Sequence, residues 1–188
     1  MFLIFFLFII FQRLGELSIA KNNERWMKEN GALEFGENHY GYMVFMHIAF
    51  LVCFLLEVLV FAKTIHPLWP VIVILFMVTQ GLRIWAITSL GRYWNTKILV
   101  VPSATIVRKG PYRFLRHPNY LIVGLEIFLI PVLFQAYITA ALFTILNVWM
   151  LSVRIPIEEK ALSHTASDYS DYILEKSRFT PKFNKNID

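Results

Sequence analysis

The chain is poor in cysteine and in charge: its 188 residues include a single cysteine, Cys53, and only 16% are Asp, Glu, Lys or Arg. One thiol allows neither a disulfide framework nor a cysteine-built zinc site, and Cys53 lies in an apolar run, where it is read as packing. The eight glycines form no G-x-G-x-x-G and no P-loop, which excludes a soluble nucleotide-binding fold. The five histidines, His39, His47, His66, His117 and His164, show no H-x-x-x-H or H-E-x-x-H spacing, so no metal site is expected. No G-x-S-x-G elbow offers a serine nucleophile. The opening MFLIFFLFIIF has no basic stretch before it and no small-residue cleavage site after it, and is read as a retained helix rather than a secretory signal.

What is abundant is apolar surface. With 57% hydrophobic residues and a mean hydropathy of +0.55, a chain of this length is expected to be a single multi-pass membrane domain. Residues 1–20, 40–62, 68–90 and 138–153 approach the roughly 20 apolar residues that a span requires, and 120–134 forms a shorter fifth. Only Gln135-Ala136-Tyr137 separates the last two, which predicts a short antiparallel hairpin. Five such runs cannot close a lipid-facing barrel, so the expected fold is an all-α integral membrane protein of five transmembrane helices. Residues 1–89 supply three spans; the loop 90–119, the hairpin 120–153 and the tail 154–188 form the remainder. Pro156 suits the first turn of a tail helix with Glu158 and Glu159 at its positive end, a break is expected over 163–166, and a second short helix over 168–176.

Charge placement orients these spans. The segments 21–39, 91–119 and 154–188 fall on one side and carry 3, 6 and 6 lysines and arginines, whereas the opposite side carries only Lys63. This asymmetry predicts an external N-terminus and a cytoplasmic tail in a multi-pass (for a bacterium, cell-membrane) protein. It also accounts for the net charge of +5 without nucleic acid, which is not an expected partner.

The densest chemistry lies in Lys109–Tyr120, KGPYRFLRHPNY, directly before the short span, and in Arg154-Ile-Pro-Ile-Glu158-Glu159 directly after the hairpin. Polar residues packed beside a membrane helix are costly unless something polar binds there. Arg154 and Glu158 are four apart and share a face if the last helix continues past the membrane. The hairpin returns the chain to the face it left, which brings both beside His117. A carboxylate, an imidazole, tyrosines and an arginine at one mouth can hold a cationic donor on one side and an anionic acceptor on the other.

Taken together, Leu90-Gly91, Trp94, Val107, Gly110-Pro111-Tyr112, Arg116-His117-Pro118-Asn119-Tyr120 and Arg154-x-x-x-Glu158-Glu159 with Leu162 resemble the isoprenylcysteine carboxyl methyltransferase family over residues 90–183. The resemblance implies a membrane enzyme with S-adenosyl-L-methionine as cofactor, bound in a cytoplasmic pocket by Lys97, Ala104, Thr105, Ile106, Val107, Tyr112, His117, Pro118, Asn119, Tyr120 and Glu158. Lys97 departs from the neutral polar residue usual in the eukaryotic members. Arg154 would face the substrate as the catalytic residue, and Glu159, Glu126 and His39 are further candidates for substrate contact. The chain's length and loop wording resemble a short bacterial branch that O-methylates phenolic or polyketide-derived lipids such as alkylpyrones.

Methyl transfer from a sulfonium is an in-line displacement governed by alignment. A carboxylate acceptor needs no base at neutral pH, whereas a phenol or enol benefits from a guanidinium that stabilises its anion, the role expected of Arg154. The expected partner is a lipophilic small molecule that reaches the site from the bilayer among membrane lipids; no obligate protein partner is expected. Arg13 and Glu16 are read as a polar contact between helices, while Glu57, Gln80, Arg83, Glu126 and Asn147 either line the acceptor's path or stitch the spans together. Three other readings keep the fold: an NADPH-dependent reductase of membrane lipids or sterols, a phospholipid N-methyltransferase, and a non-enzymatic lipid-binding protein.

Overall fold

Apolar sequence dictates the frame, and polar termini stitch it together at one end. The computed structural model describes residues 1–102, 104–165 and 169–180. In chain order these form α1 (Phe2–Glu29), β1 (Leu33–Phe35), α2 (Glu37–Val60), α3 (Trp69–Leu90), a 3-10 turn at Gly91–Tyr93, β2 (Ile98–Val100), a second such turn at Gly110–Arg113, α4 (Pro118–Leu133), α5 (Tyr137–Thr165) and α6 (Tyr169–Glu175). The helices α1, α2, α3 and α5 are long and apolar enough to cross a membrane. The apolar α4 is shorter: its 16 residues extend about 24 Å at about 1.5 Å each, below the roughly 30 Å of a hydrocarbon core. Gln135 turns the chain between α4 and α5 with φ of 54°.

Phenylalanines dominate the core. Phe54 is enclosed by Phe2 at 5.3 Å, Phe134 at 6.0 Å and Phe50 at 6.2 Å between ring centroids, which ties α1, α2 and the α4–α5 turn together. At the same end the buried carboxylate of Glu57 caps α5: it accepts hydrogen bonds from the backbone of Ile138 (3.1 Å) and Thr139 (2.7 Å) and from the Thr139 hydroxyl (2.6 Å). A carboxylate facing a positive helix end is well placed there. A second polar knot joins α1, α3 and α4. Glu126 is completely buried and accepts from Gln80 (2.8 Å), from Arg83 Nε (2.7 Å) and from Arg13 (2.5 Å), while Glu16 takes the remaining reach of Arg13 (2.8 Å) and Arg83 (3.1 Å). Two guanidiniums and two carboxylates thus neutralise one another, and Glu57, Gln80, Arg83 and Glu126 act as stitches between helices.

The opposite end departs from an all-helical plan. β1 and β2 pair antiparallel with Leu33 opposite Val100 and Phe35 opposite Ile98, joining two segments read from sequence as loops. α1 also runs to Glu29, past the expected end of its span, and Asn23 on its last turns donates to the carbonyls of Gly91 (3.1 Å) and Trp94 (2.7 Å). No tail helix starts at Pro156. α5 runs unbroken from Tyr137 to Thr165 with Pro156 inside it, so its apolar stretch, 138–153, continues directly into the charged stretch beyond. The missing N–H of Pro156 costs one helical bond, to Ser152, and leaves Arg154 and Glu158 on one face. Ala166, Asp168 and Phe183, which bound the expected break, second helix and functional core, lie outside the described residues.

The C-terminal segment clamps the loop before α4. Tyr172 donates from its hydroxyl to the carbonyls of Tyr112 (2.8 Å) and Leu115 (3.2 Å), and Arg116 N–H donates to the Ser177 carbonyl (3.0 Å). Gly110 holds φ of 56°, and a Cβ there would fall 1.9 Å from Ser89 Oγ, so this turn can press onto α3 only as glycine.

Candidate active site

Two cavities meet where these clamped segments face α5. The smaller, about 140 Å³, is lined by Ala104, Thr105, Ile106 and Val107 and closed by Tyr169 and Tyr172. The larger, about 500 Å³, lies among α1, α2, α3, α4 and α5 and is within the range of small-molecule sites. Tyr112, Arg116, His117 and Glu158 belong to both walls. The lining residues Leu14, Leu17, Val44 and Ile48 are also exposed, so the large chamber opens onto the apolar surface between α1 and α2. The exposed Thr105 places the small cavity at the protein surface.

Arg154 occupies the junction. It is only 3% exposed, yet its partners are neutral: Nε donates to the Tyr120 hydroxyl (2.8 Å), Nη1 approaches Met43 Sδ (3.1 Å), and Nη2 donates to the Thr96 carbonyl. Among the described residues no carboxylate pairs with it. A buried guanidinium so placed is an uncompensated positive charge on the chamber wall. Tyr120 passes the connection on, because its hydroxyl donates to Glu158 while it accepts from Arg154. The His117 ring stacks on Tyr120 at 5.4 Å between centroids.

The adjacent carboxylates differ sharply. Glu159 is held by Arg116 (2.7 Å), by Arg178 in two bonds (3.0 and 2.6 Å) and by His117 Nε2 (3.2 Å). Burial pulls its pKa upward, but the His117 and Arg178 hydrogen bonds and the Arg116 charge prevail and hold the carboxyl down to about 2. Glu158 keeps a side chain 28% exposed, facing both cavities, with His117 Nδ1 4.0 Å away. Burial, then the charge of Glu158, pushes the Tyr112 phenol far above its ordinary range, so it stays a protonated donor. The Tyr112 hydroxyl and Asn119 Oδ1 are buried without a hydrogen-bond partner among the described residues.

Of the residues singled out in the sequence, Ala104, Thr105, Ile106, Val107, Tyr112, His117 and Glu158 line the small cavity, and Asn119, Tyr120 and Arg154 line the large one. Pro118 starts α4 and is buried beside them. Lys97 borders the large chamber, but its ammonium lies 2.9 Å from Glu24 and 3.0 Å from Glu34, whose hydrogen bonds hold its pKa above the ordinary lysine range; it has no free charge for a ligand. Three expected acceptor contacts lie away from these two cavities. Glu126 is enclosed by Arg13 and Arg83, Glu159 is taken up by Arg116, Arg178 and His117, and the His39 ring packs against Gly36; none of them lines either of the two cavities. Sequence reasoning missed Met43 and Thr96 as partners of Arg154: a thioether and a backbone carbonyl carry no motif. For Met43 the signal was positional, since Tyr40, Met43, Val44, His47 and Leu51 share one helical face of α2.

Residues 71–164 match the isoprenylcysteine carboxyl methyltransferase family, a stretch from α3 nearly to the end of α5 that contains Tyr112, Arg116, His117, Tyr120, Arg154 and Glu158. The chain is 49% identical over 162 residues to the uncharacterized protein YpbQ of Bacillus subtilis (strain 168), covering 86% of this chain and 96% of that one. It is 26% identical over 158 residues to an uncharacterized protein of Haemophilus influenzae, covering 81% and 89%.

Proposed function

Because the chain belongs to the isoprenylcysteine carboxyl methyltransferase family of multi-pass membrane methyltransferases, whose enzymes use S-adenosyl-L-methionine, we propose that it transfers a methyl group from that donor to an oxygen of a lipophilic acceptor drawn from the bilayer. The proposed acceptor is a polyketide-derived lipid such as an alkylpyrone, which presents an acidic enol on a long alkyl chain. On this reading α4 is the fifth span, the N-terminus lies outside, and both the junction and the C-terminus face the cytoplasm, where the donor is made.

The residues present fit the donor. It carries a sulfonium and an ammonium, which the half-exposed Glu158 carboxylate complements, and its ribose and purine can use the partnerless Tyr112 hydroxyl and Asn119 oxygen. The backbone of residues 104–107 would border it, with His117 and Tyr120 closing the side toward the chamber. When bound, the sulfonium supplies an electrophilic methyl carbon. The protein's work is alignment and electrostatics: Tyr120, fixed between Arg154 and Glu158, sets the distance between the two reactants' sites.

The observation that carries the proposal is the buried Arg154 cation, without an anionic partner among the described residues, at the meeting of the two cavities. An enolate or carboxylate oxygen there would gain a charge-assisted bond, and the guanidinium would lower the cost of placing that anion before the methyl carbon. Arg154 acts as clamp and electrostatic aid rather than as base.

Detergent-purified protein incubated with radiolabelled methyl donor and either a total lipid extract or synthetic alkylpyrones, followed by mass analysis, tests the reading. Labelled methyl ether or ester is expected. Arg154→Ala is expected to lower kcat about 10²- to 10³-fold, the usual effect of deleting a donor to a developing oxyanion, with little change in donor affinity. Glu158→Ala is expected to weaken donor binding in calorimetry. Normal turnover by both variants removes this site assignment, label on nitrogen moves the reaction to N-methylation, and binding of NADPH in place of the methyl donor moves the protein to the reductases.

A further inference from the structure

The large chamber has a second polar end that methyl transfer does not use. Asn147 lies on α5 seven residues before Arg154, about 10 Å farther from the junction at about 1.5 Å per residue, with the lining residues Met150 and Leu151 between them. It is 4% exposed, it lines the chamber, and among the described residues its carboxamide makes no hydrogen bond. An amide so placed on a chamber wall keeps both its donors and its acceptor for a ligand.

On α2, one turn beyond Met43, His47 lines the same chamber. Its Nδ1 lies 2.8 Å from the Met43 carbonyl oxygen. A carbonyl only accepts, so Nδ1 carries the proton and Nε2 of the neutral ring is left as an acceptor. The charged groups bordering this end do not call for an ion: Arg13 and Arg83 are already matched by Glu16 and Glu126. What remains unsatisfied is one carboxamide, able to give and to take, and one imidazole nitrogen able only to take.

The geometry points to a second acceptor subsite, in which Asn147 and His47 hold an uncharged hydroxyl carried on the acceptor's chain about two helical turns from the oxygen that Arg154 holds. A hydroxyl serves both groups, donating to an imidazole nitrogen or accepting from an amide. This inference rests on the reading of Arg154 as the acceptor's clamp. It makes the substrate an oxygenated lipid rather than a plain hydrocarbon chain with one polar head.

Two probes isolate the subsite: octadecanoate, which offers Arg154 a carboxylate alone, and 10-hydroxyoctadecanoate, whose hydroxyl lies a comparable distance down the chain. In calorimetry on the detergent-purified full chain, the hydroxylated probe is expected to bind about tenfold more tightly, the effect of one net hydrogen bond. Asn147→Leu and His47→Leu are each expected to reduce that preference severalfold while octadecanoate affinity is kept, which also shows that the variants fold. His47→Gln, which keeps an acceptor, is expected to retain part of it. Equal binding of the two probes by the unaltered protein, or an undiminished preference in Asn147→Leu, overturns the subsite. Preference for the hydroxylated probe without any methyl transfer overturns the transfer reading and leaves the subsite standing; transfer without preference does the reverse.

Discussion

Glu158 and Glu159 are neighbours in sequence and opposites in role. Successive residues on a helix point about 100° apart, so the turn that aims Glu158 at the cavities aims Glu159 at Arg116 and Arg178. The pair was legible in the sequence and its division of labour was not, because Arg178 arrives from a segment whose path no local pattern fixes. Arg154 was legible for a related reason: its spacing from Glu158 needed only a continuous helix. Glu159 also makes a testable contribution to stability. Its folded pKa, about 2, lies below the ordinary carboxylate value of 4.5, so its clamp is fully present above about pH 4.5 and is lost as pH falls toward 2. Thermal melts of the detergent-solubilised protein are expected to lose stability between pH 5 and 3, and Glu159→Gln is expected to flatten that part of the profile and lower the melting temperature at pH 7.

At the scale of elements, α5 does most to build the junction, and both of its ends are unusual. Its N-terminus is capped by a carboxylate from α2, and its C-terminal turns continue through Pro156 into the water-facing site. Apolar length alone gave the membrane-crossing part of this helix. It did not give the continuation, because Pro156 followed by two glutamates also reads as a fresh helix start, and tertiary contacts of Arg154 and Glu158 with Tyr120 on α4 favour the unbroken form. The ribbon of β1 and β2 escaped notice because three-residue strands have no periodicity to read. Replacing Glu57 with Ala removes the bonds to Ile138 and Thr139 and leaves buried donors unpaired. The expected loss is about 2 kcal/mol, measured by reversible unfolding in mixed micelles, with donor affinity at the distant junction unchanged.

For the whole molecule, the arrangement is one of two compartments with a common wall. Hydropathy and charge bias placed the polar segments together, and the hairpin supplied the reason that His117 and Glu158 meet. The chamber itself was not legible: its lining draws on five separate helices, and a void leaves no trace in a linear pattern. Its lateral gap between α1 and α2 is the proposed path for lipid. Ile48→Trp, which enlarges a side chain at that gap, is expected to raise KM for a long-chain acceptor about tenfold, an effect on the order of 1.4 kcal/mol, while calorimetric affinity for S-adenosyl-L-methionine stays unchanged.

The exposed Thr105 and the exposed Leu14 and Ile48 mark separate doorways, which the proposed function assigns to water and to oil. Reactants that never share a doorway have no compulsory sequence of arrival, so steady-state rates will follow a random mechanism. Spent donor is then expected to compete with donor, and finished lipid with acceptor, while each inhibits noncompetitively against the other reactant in product-inhibition kinetics.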